Sequence, residues 1–116
     1  PEVVIIELGG NDGLRGQPPK QLNQNLAAMV GLSREADAKV VLLGMRLPPN
    51  LGQRYTSAFA DAFDSLADEQ NLPYVPFFLE GVGGVEGMMQ ADRIHPTASA
   101  QQQLLDNVWP VLEPLL

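Results

Sequence analysis

Cysteine is absent from the 116 residues, histidine occurs once, and seven lysines and arginines face fourteen aspartates and glutamates. Without cysteine there is no disulfide, no thiolate nucleophile and no cysteine-ligated zinc. A single histidine excludes a multi-histidine metal site and leaves His95 as the one side chain that titrates near neutrality unaided. The net charge of −7 denies nucleic acid the basic face it needs. Gly, Pro or a charge interrupts every apolar run before it nears the roughly 18 residues of a membrane span. Neither G-x-x-x-x-G-K-[ST] nor G-x-G-x-x-G occurs, so a phosphate-cradling loop is excluded. Initiator Met and leader segment are also lacking, and the first apolar run starts at Val3; the expectation is a processed, truncated or partly observed chain.

What is present is the composition of one folded domain, 45% apolar and 18% charged. Val3-Val4-Ile5-Ile6, continuing to Leu8, is β-branched without alternation and reads as a strand covered on both faces. It ends at Gly9-Gly10-Asn11-Asp12-Gly13. Pro18-Pro19 precedes a predicted helix from Gln21 to Ala36, with Leu22, Leu26, Met29, Val30 and Leu32 as its stripe. Lys39 to Gly44 is a second buried strand, closed by Arg46-Leu47-Pro48-Pro49-Asn50. A helix from Gln53 to Glu69 places Phe59, Phe63 and Leu66 on one face. Tyr74 to Leu79 is a third strand, interrupted by Pro76. A glycine-rich loop, Gly81 to Gly87, leads to a last helix beginning near Thr97. There Ser99 and Gln102 have capping-box spacing, and Pro110 should kink or end the helix.

The order β-α-β-α-β-loop-α implies a parallel sheet with right-handed crossovers. Three apolar strands leave long unpaired edges, so the sheet should continue into strands that this chain does not contain. Ligands of such sheets sit outside the carboxyl ends of the strands, and three segments fall there: 9–13, 44–50 and 92–96. Asn11 offers a carboxamide that can donate to a developing oxyanion, although Asn-Asp-Gly is also ordinary turn chemistry. Asp92 precedes His95 by three residues, a spacing that lets one loop hold a carboxylate against an imidazole. The plain alternative pairs Asp92 with Arg93 and packs His95 beside Pro96.

Val4-Ile5-Ile6-Glu7-Leu8-Gly9-Gly10-Asn11-Asp12-Gly13-Leu14-Arg15-Gly16 resembles the third sequence block of the SGNH (GDSL-type) hydrolases, bacterial thioesterase I / lysophospholipase / arylesterase group. Asp92-Arg93-Ile94-His95-Pro96 resembles that family's last block, D-x-x-H-P. Arg46-Leu47-Pro48 and Pro73 to Phe78 are similar at the right places and in the right order. The resemblance implies a three-layer α/β/α fold with five parallel strands in 2-1-3-4-5 order, of which this chain would supply strands 3, 4 and 5. It implies hydrolysis of acyl esters, acyl thioesters or lysophospholipids through an acyl-enzyme. His95 is then general base and acid, Asp92 its orienting carboxylate, and Asn11 an oxyanion donor. It calls for no metal or organic cofactor, and implies export to the periplasm or beyond.

The family's nucleophilic Ser stands in a Gly-Asp-Ser block that is not here. Ser33, Ser57 and Ser65 lie in helical patterns and Ser99 at a helix start, so none is assigned that role. The expected partner is the missing N-terminal segment of the same protein, carrying the nucleophile. Leu14 and Leu47, on the rim loops, are candidates for an acyl pocket or for inward-packing anchors. Asp12 is expected to hydrogen-bond its own turn, Glu7 to have a structural partner, Trp109 to join the core, and Glu80 and Glu86 to be solvated. The alternative function is a non-catalytic α/β module that binds acyl groups without turning them over. A receiver- or nucleotide-type domain would need an acidic cluster at its first strand ends or a phosphate loop, and neither is visible.

Overall fold

The computed structural model describes residues 1–92 and 95–116. Strands β1 (Val3–Ile6), β2 (Lys39–Leu43) and β3 (Tyr74–Val75) form a parallel sheet in the order β1-β2-β3. Between them run a single-turn helix α1 (Gly10–Leu14), α2 (Pro19–Glu35) and α3 (Gln53–Gln70), and α4 (Gln101–Leu112) follows β3. The central strand behaves as its sequence demands: Val40 to Leu43 are all buried, because helices cover both faces. Val4, Ile6, Val40 and Leu42 face α2 and α3 in a core built on Leu22, Leu26, Val30, Phe59, Phe63 and Leu66. Val41, Leu43 and Val75 face α4, against Val108 and the partly buried Val111, Leu112 and Leu115. Phe59 and Phe63 meet edge to face, ring centroids 5.3 Å apart.

β1 departs from expectation. It stops at Ile6, and Ile5 is 45% exposed, as is Leu8 at 53%. Period-2 alternation explains this: Val4 and Ile6 point to the α2–α3 side, whereas Ile5 points to the α4 side, where α4 lies over β2 and β3 and leaves it bare. β3 is shorter than predicted because Pro76 has no N–H for the ladder. The chain stays attached beyond it through Gly44 N–H to the Val75 carbonyl (2.7 Å) and Phe78 N–H to the Gly44 carbonyl (3.1 Å).

Several local expectations are corrected. The Gly10–Leu14 segment is a helical turn, entered through Gly9 at φ 113°. α2 starts at Pro19, whose missing N–H costs nothing in a first helical turn. Leu32, about 80° off the stripe set by Leu22 on a 100° helical wheel, is 67% exposed. Pro110 lies within the last turn of α4 without ending it. Ser99 and Gln102 form no capping box: the Ser99 hydroxyl reaches the Gly87 carbonyl and Gln102 donates to Asp106. Trp109, expected in the core, is 42% exposed, and Leu105 and Leu116 on the same outward side of α4 and its continuation are 50% and 76% exposed.

Candidate active site

Parallel pairing fixes which ends of the strands share a rim. The carboxyl ends of β1, β2 and β3 lead into residues 7–18, 44–52 and 76–96. α4 runs antiparallel to the strands, since the Leu115 carbonyl accepts from Lys39 Nζ at the amino end of β2 (3.4 Å). The beginning of α4, and the loop before it, therefore stand at the carboxyl rim. Asn11 in α1 and His95 before α4 lie on that rim, and the structure describes no contact between them.

The three-residue spacing brings the Asp92 carboxylate onto His95. Asp92 Oδ1 accepts the His95 backbone N–H at 3.1 Å, while Oδ2 lies 2.7 Å from Nδ1 of the ring. An ionised carboxylate only accepts, so Nδ1 carries a proton and, in the neutral ring, Nε2 keeps its lone pair. The loop backbone is held independently by Gln90 N–H to the His95 carbonyl (2.7 Å) and Thr97 N–H to the Met88 carbonyl (2.9 Å). A small core of Val82, Ala100 and Leu104, with Phe78, Leu79, Met88 and Met89 against it, ties this loop to α4. His95 and Asp92 side chains are 68% and 43% exposed. A pair that open to water contributes about 0–1 kcal/mol to folding, so its consequence is orientation. The alternative pairing with Arg93 lies outside the described residues.

Asn11 is exposed and its carboxamide makes no hydrogen bond among the described residues. The Asn11 backbone carbonyl accepts Arg15 N–H, and Asp12 is bonded within its own turn through its backbone carbonyl, which accepts Gln17 N–H. α1 is pressed closely onto the neighbouring rim segments. A β-carbon at Gly10 would stand 2.7 Å from Met45 Cε, and one at Gly13 would stand 2.6 Å from Phe59 and 2.7 Å from Leu47. The two pocket candidates thus separate: Leu47 packs inward under Gly13, whereas Leu14 is 38% exposed at the rim. Glu7, past the end of β1, is exposed and makes no hydrogen bond among the described residues, contrary to expectation. Partial burial alone pushes its carboxyl above the usual range. Glu80 and Glu86 are exposed as expected. Of the serines, Ser33 donates back into α2 at the Met29 carbonyl and Ser57 and Ser65 are exposed on α3.

Sequence reasoning passed over Tyr55. Its hydroxyl donates to the Gln17 carbonyl and so ties α3 to the segment leaving α1. The signal was available, since Tyr55 stands one helical turn before Phe59 on the stripe that continues to Phe63 and Leu66.

The parallel sheet with helices on both faces places the chain among α/β proteins, and its fold matches that of SGNH hydrolases. The chain belongs to the GDSL-like lipase/acylhydrolase family, whose model matches residues 1–103. It is 60% identical over 116 residues to the esterase TesA of Pseudomonas aeruginosa, covering all of this chain and 58% of that protein. A crystal structure of TesA superposes with a TM-score of 0.96, covering 100% of this chain and 64% of that one, again at 60% identity. Thioesterase 1/protease 1/lysophospholipase L1 of Escherichia coli K12 is 42% identical over 116 residues, 100% of this chain and 56% of the relative. The chain thus spans little more than half the length of these curated relatives.

Proposed function

We propose that this chain is the C-terminal part of a serine esterase/thioesterase that cleaves acyl esters, acyl thioesters or lysophospholipids through an acyl-enzyme. The observation that carries the reading is the doubly bonded Asp92–His95 turn on the carboxyl rim. In this mechanism a Ser hydroxyl from the N-terminal part of the protein attacks the acyl carbonyl while His95 Nε2 takes its proton. Asp92 holds the ring and stabilises the imidazolium. The Asn11 carboxamide donates to the tetrahedral oxyanion, an interaction stronger in the transition state than in the ground state. The imidazolium then returns its proton to the leaving alcohol or thiol, and water repeats the sequence on the acyl-enzyme. Family membership and the names of the relatives support the substrate class. Export to the periplasm or beyond is part of the same proposal.

The N-terminal part also completes the sheet in this reading. β1 has no second neighbour among the described residues, and Ile5, Leu8, Leu105, Trp109 and Leu116 expose apolar surface on or beside the uncovered face. A strand along β1 and a helix over Ile5 and α4 would cover both.

The test uses the full-length protein and a chromogenic acyl ester. His95→Ala is expected to lower kcat by on the order of 10⁶, as loss of the base does in serine hydrolases. Asp92→Asn should cost on the order of 10⁴ by presenting the wrong tautomer. A fluorophosphonate should label one Ser outside these 116 residues. Turnover surviving His95→Ala, or labelling at Ser33, Ser57, Ser65 or Ser99, overturns the mechanism.

A further inference from the structure

We propose that Tyr55 is a positioning residue for Asn11, acting by clamping the segment that carries α1 onto the first turns of α3; this rests on the oxyanion role given to Asn11 above. α1 is a single turn with little stability of its own, because a short helix closes few hydrogen bonds for the residues it orders. Its position is therefore set from outside, by contacts of which those along α1 and at its far end matter here. Gly10 abuts Met45, Gly13 abuts Phe59 and Leu47, and the Tyr55 hydroxyl holds the Gln17 carbonyl. The first two act as a floor, pushing from below. Among the described residues Tyr55 alone gives the segment a side-chain hydrogen bond from another element, and it pulls at the far end, where Gln17 N–H is bonded back to the Asp12 carbonyl beside Asn11 (2.9 Å).

The chemistry suits a permanent clamp. Burial, and then the nearby Asp12 charge, raise the Tyr55 hydroxyl above its ordinary value, so it stays protonated and donating at neutral pH. Phenol to carbonyl is also a neutral bond and is little affected by salt. Misplacing the carboxamide loses interaction energy with an oxyanion that exists only after attack, so the loss falls on kcat and not on KM.

The experiment is a double-substitution cycle in the full-length enzyme, with Tyr74→Phe as control. Tyr74 likewise donates its hydroxyl, but to Asp64, nine residues further along α3 than Tyr55 (2.7 Å). Tyr55→Phe is expected to lower kcat about fivefold, the equivalent of one neutral hydrogen bond, with KM unchanged and faster amide exchange at Arg15, Gly16 and Gln17. In an Asn11→Ala background the same change should have no further effect on kcat, and Tyr74→Phe should leave kcat and the exchange of these amides unchanged. An unchanged kcat for Tyr55→Phe, a KM effect alone, or an equal drop in both backgrounds overturns the proposal while leaving the Asn11 assignment standing. A fully active Asn11→Ala enzyme removes the oxyanion reading itself, and this proposal with it.

Discussion

Gly13→Ala sets two physical effects against each other at the rim. Gly13 is inside α1 with an ordinary helical φ, so backbone entropy alone favours Ala, by about 1 kcal/mol in a long helix. Packing opposes it. The new β-carbon would lie 2.6 Å and 2.8 Å from Phe59 ring carbons and 2.7 Å from Leu47 Cδ2, against about 3.5–4.0 Å for carbon atoms at contact. Something must move by roughly 1 Å. Phe59 has no room to retreat, being 1% exposed and set edge-on against the fully buried Phe63. Overpacking of this kind costs about 1–3 kcal/mol, so packing wins, or α1 lifts and takes Asn11 with it. Either route lowers kcat on an acyl ester at least tenfold in the full-length enzyme, while the urea midpoint falls or holds. Adding Phe59→Leu should return part of the lost kcat, although Phe59→Leu alone destabilises the core; the two changes share a contact and should couple by about 0.5–3 kcal/mol. A Gly13→Ala enzyme that is stabilised by about 1 kcal/mol with normal kcat would show that helix propensity governs this position, and that α1 is not seated on Phe59.

Two further outcomes are expected. Glu7 has a raised folded-state pKa from partial burial, so between the unfolded value of 4.5 and the raised one the folded chain binds more protons, and stability falls as pH rises through that window. Glu7→Gln should thus match the parent near pH 4 and exceed it at pH 7 in urea midpoints followed by circular dichroism; a less stable variant at pH 7 contradicts the assignment. Trp109, the single tryptophan, reports cover over α4. Acrylamide should quench it strongly in the 116-residue chain, which is expected to associate and to lack esterase activity, and weakly in the full-length protein, and equal quenching would show that nothing covers that face.

The sequence was most legible where burial is two-sided or periodic. Val40 to Leu43 could only be an inner strand, and Phe59, Phe63 and Leu66 recur at helical spacing, so β2 and α3 were readable without a structure. Misreadings arose where a local pattern suited surroundings that no described residue supplies. The β-branched run at Val3–Ile6 and the apolar face at Trp109 both suit a covered environment, but cover depends on what packs against them, and Ile5 and Trp109 are open here. Asp92 and His95 were readable because their contact is local, three residues apart. The Tyr55–Gln17 contact joins residues 38 apart and depends on how α3 crosses beneath α1. No spacing rule anticipates such a contact, even when the helical stripe that supplies it is plain.

These differences in legibility follow from how the rim is assembled. His95 is positioned by its bonds to Asp92 and by the backbone bond to Gln90, and the residues around it by the bond from Thr97 to Met88 and by a small core with α4. The Asn11 turn is positioned by α3 and by the segment after β2. Neither depends on the unpaired edge of β1 for its local geometry. The backbone that carries each group assigned to this chain is thus held by contacts within the chain, while much of the apolar surface left open, at Ile5, Leu8, Leu105, Trp109 and Leu116, lies on and beside β1 and on the outer face of α4 and its continuation. In the proposed enzyme, a nucleophile brought in on a strand docking beside β1 would meet a histidine already turned by its carboxylate and a short helix, carrying Asn11, already seated on Met45, Phe59 and Leu47. On the proposed mechanism, docking then has to bring in the nucleophile, and the orientation of His95 by Asp92 is a property of the 116 residues themselves.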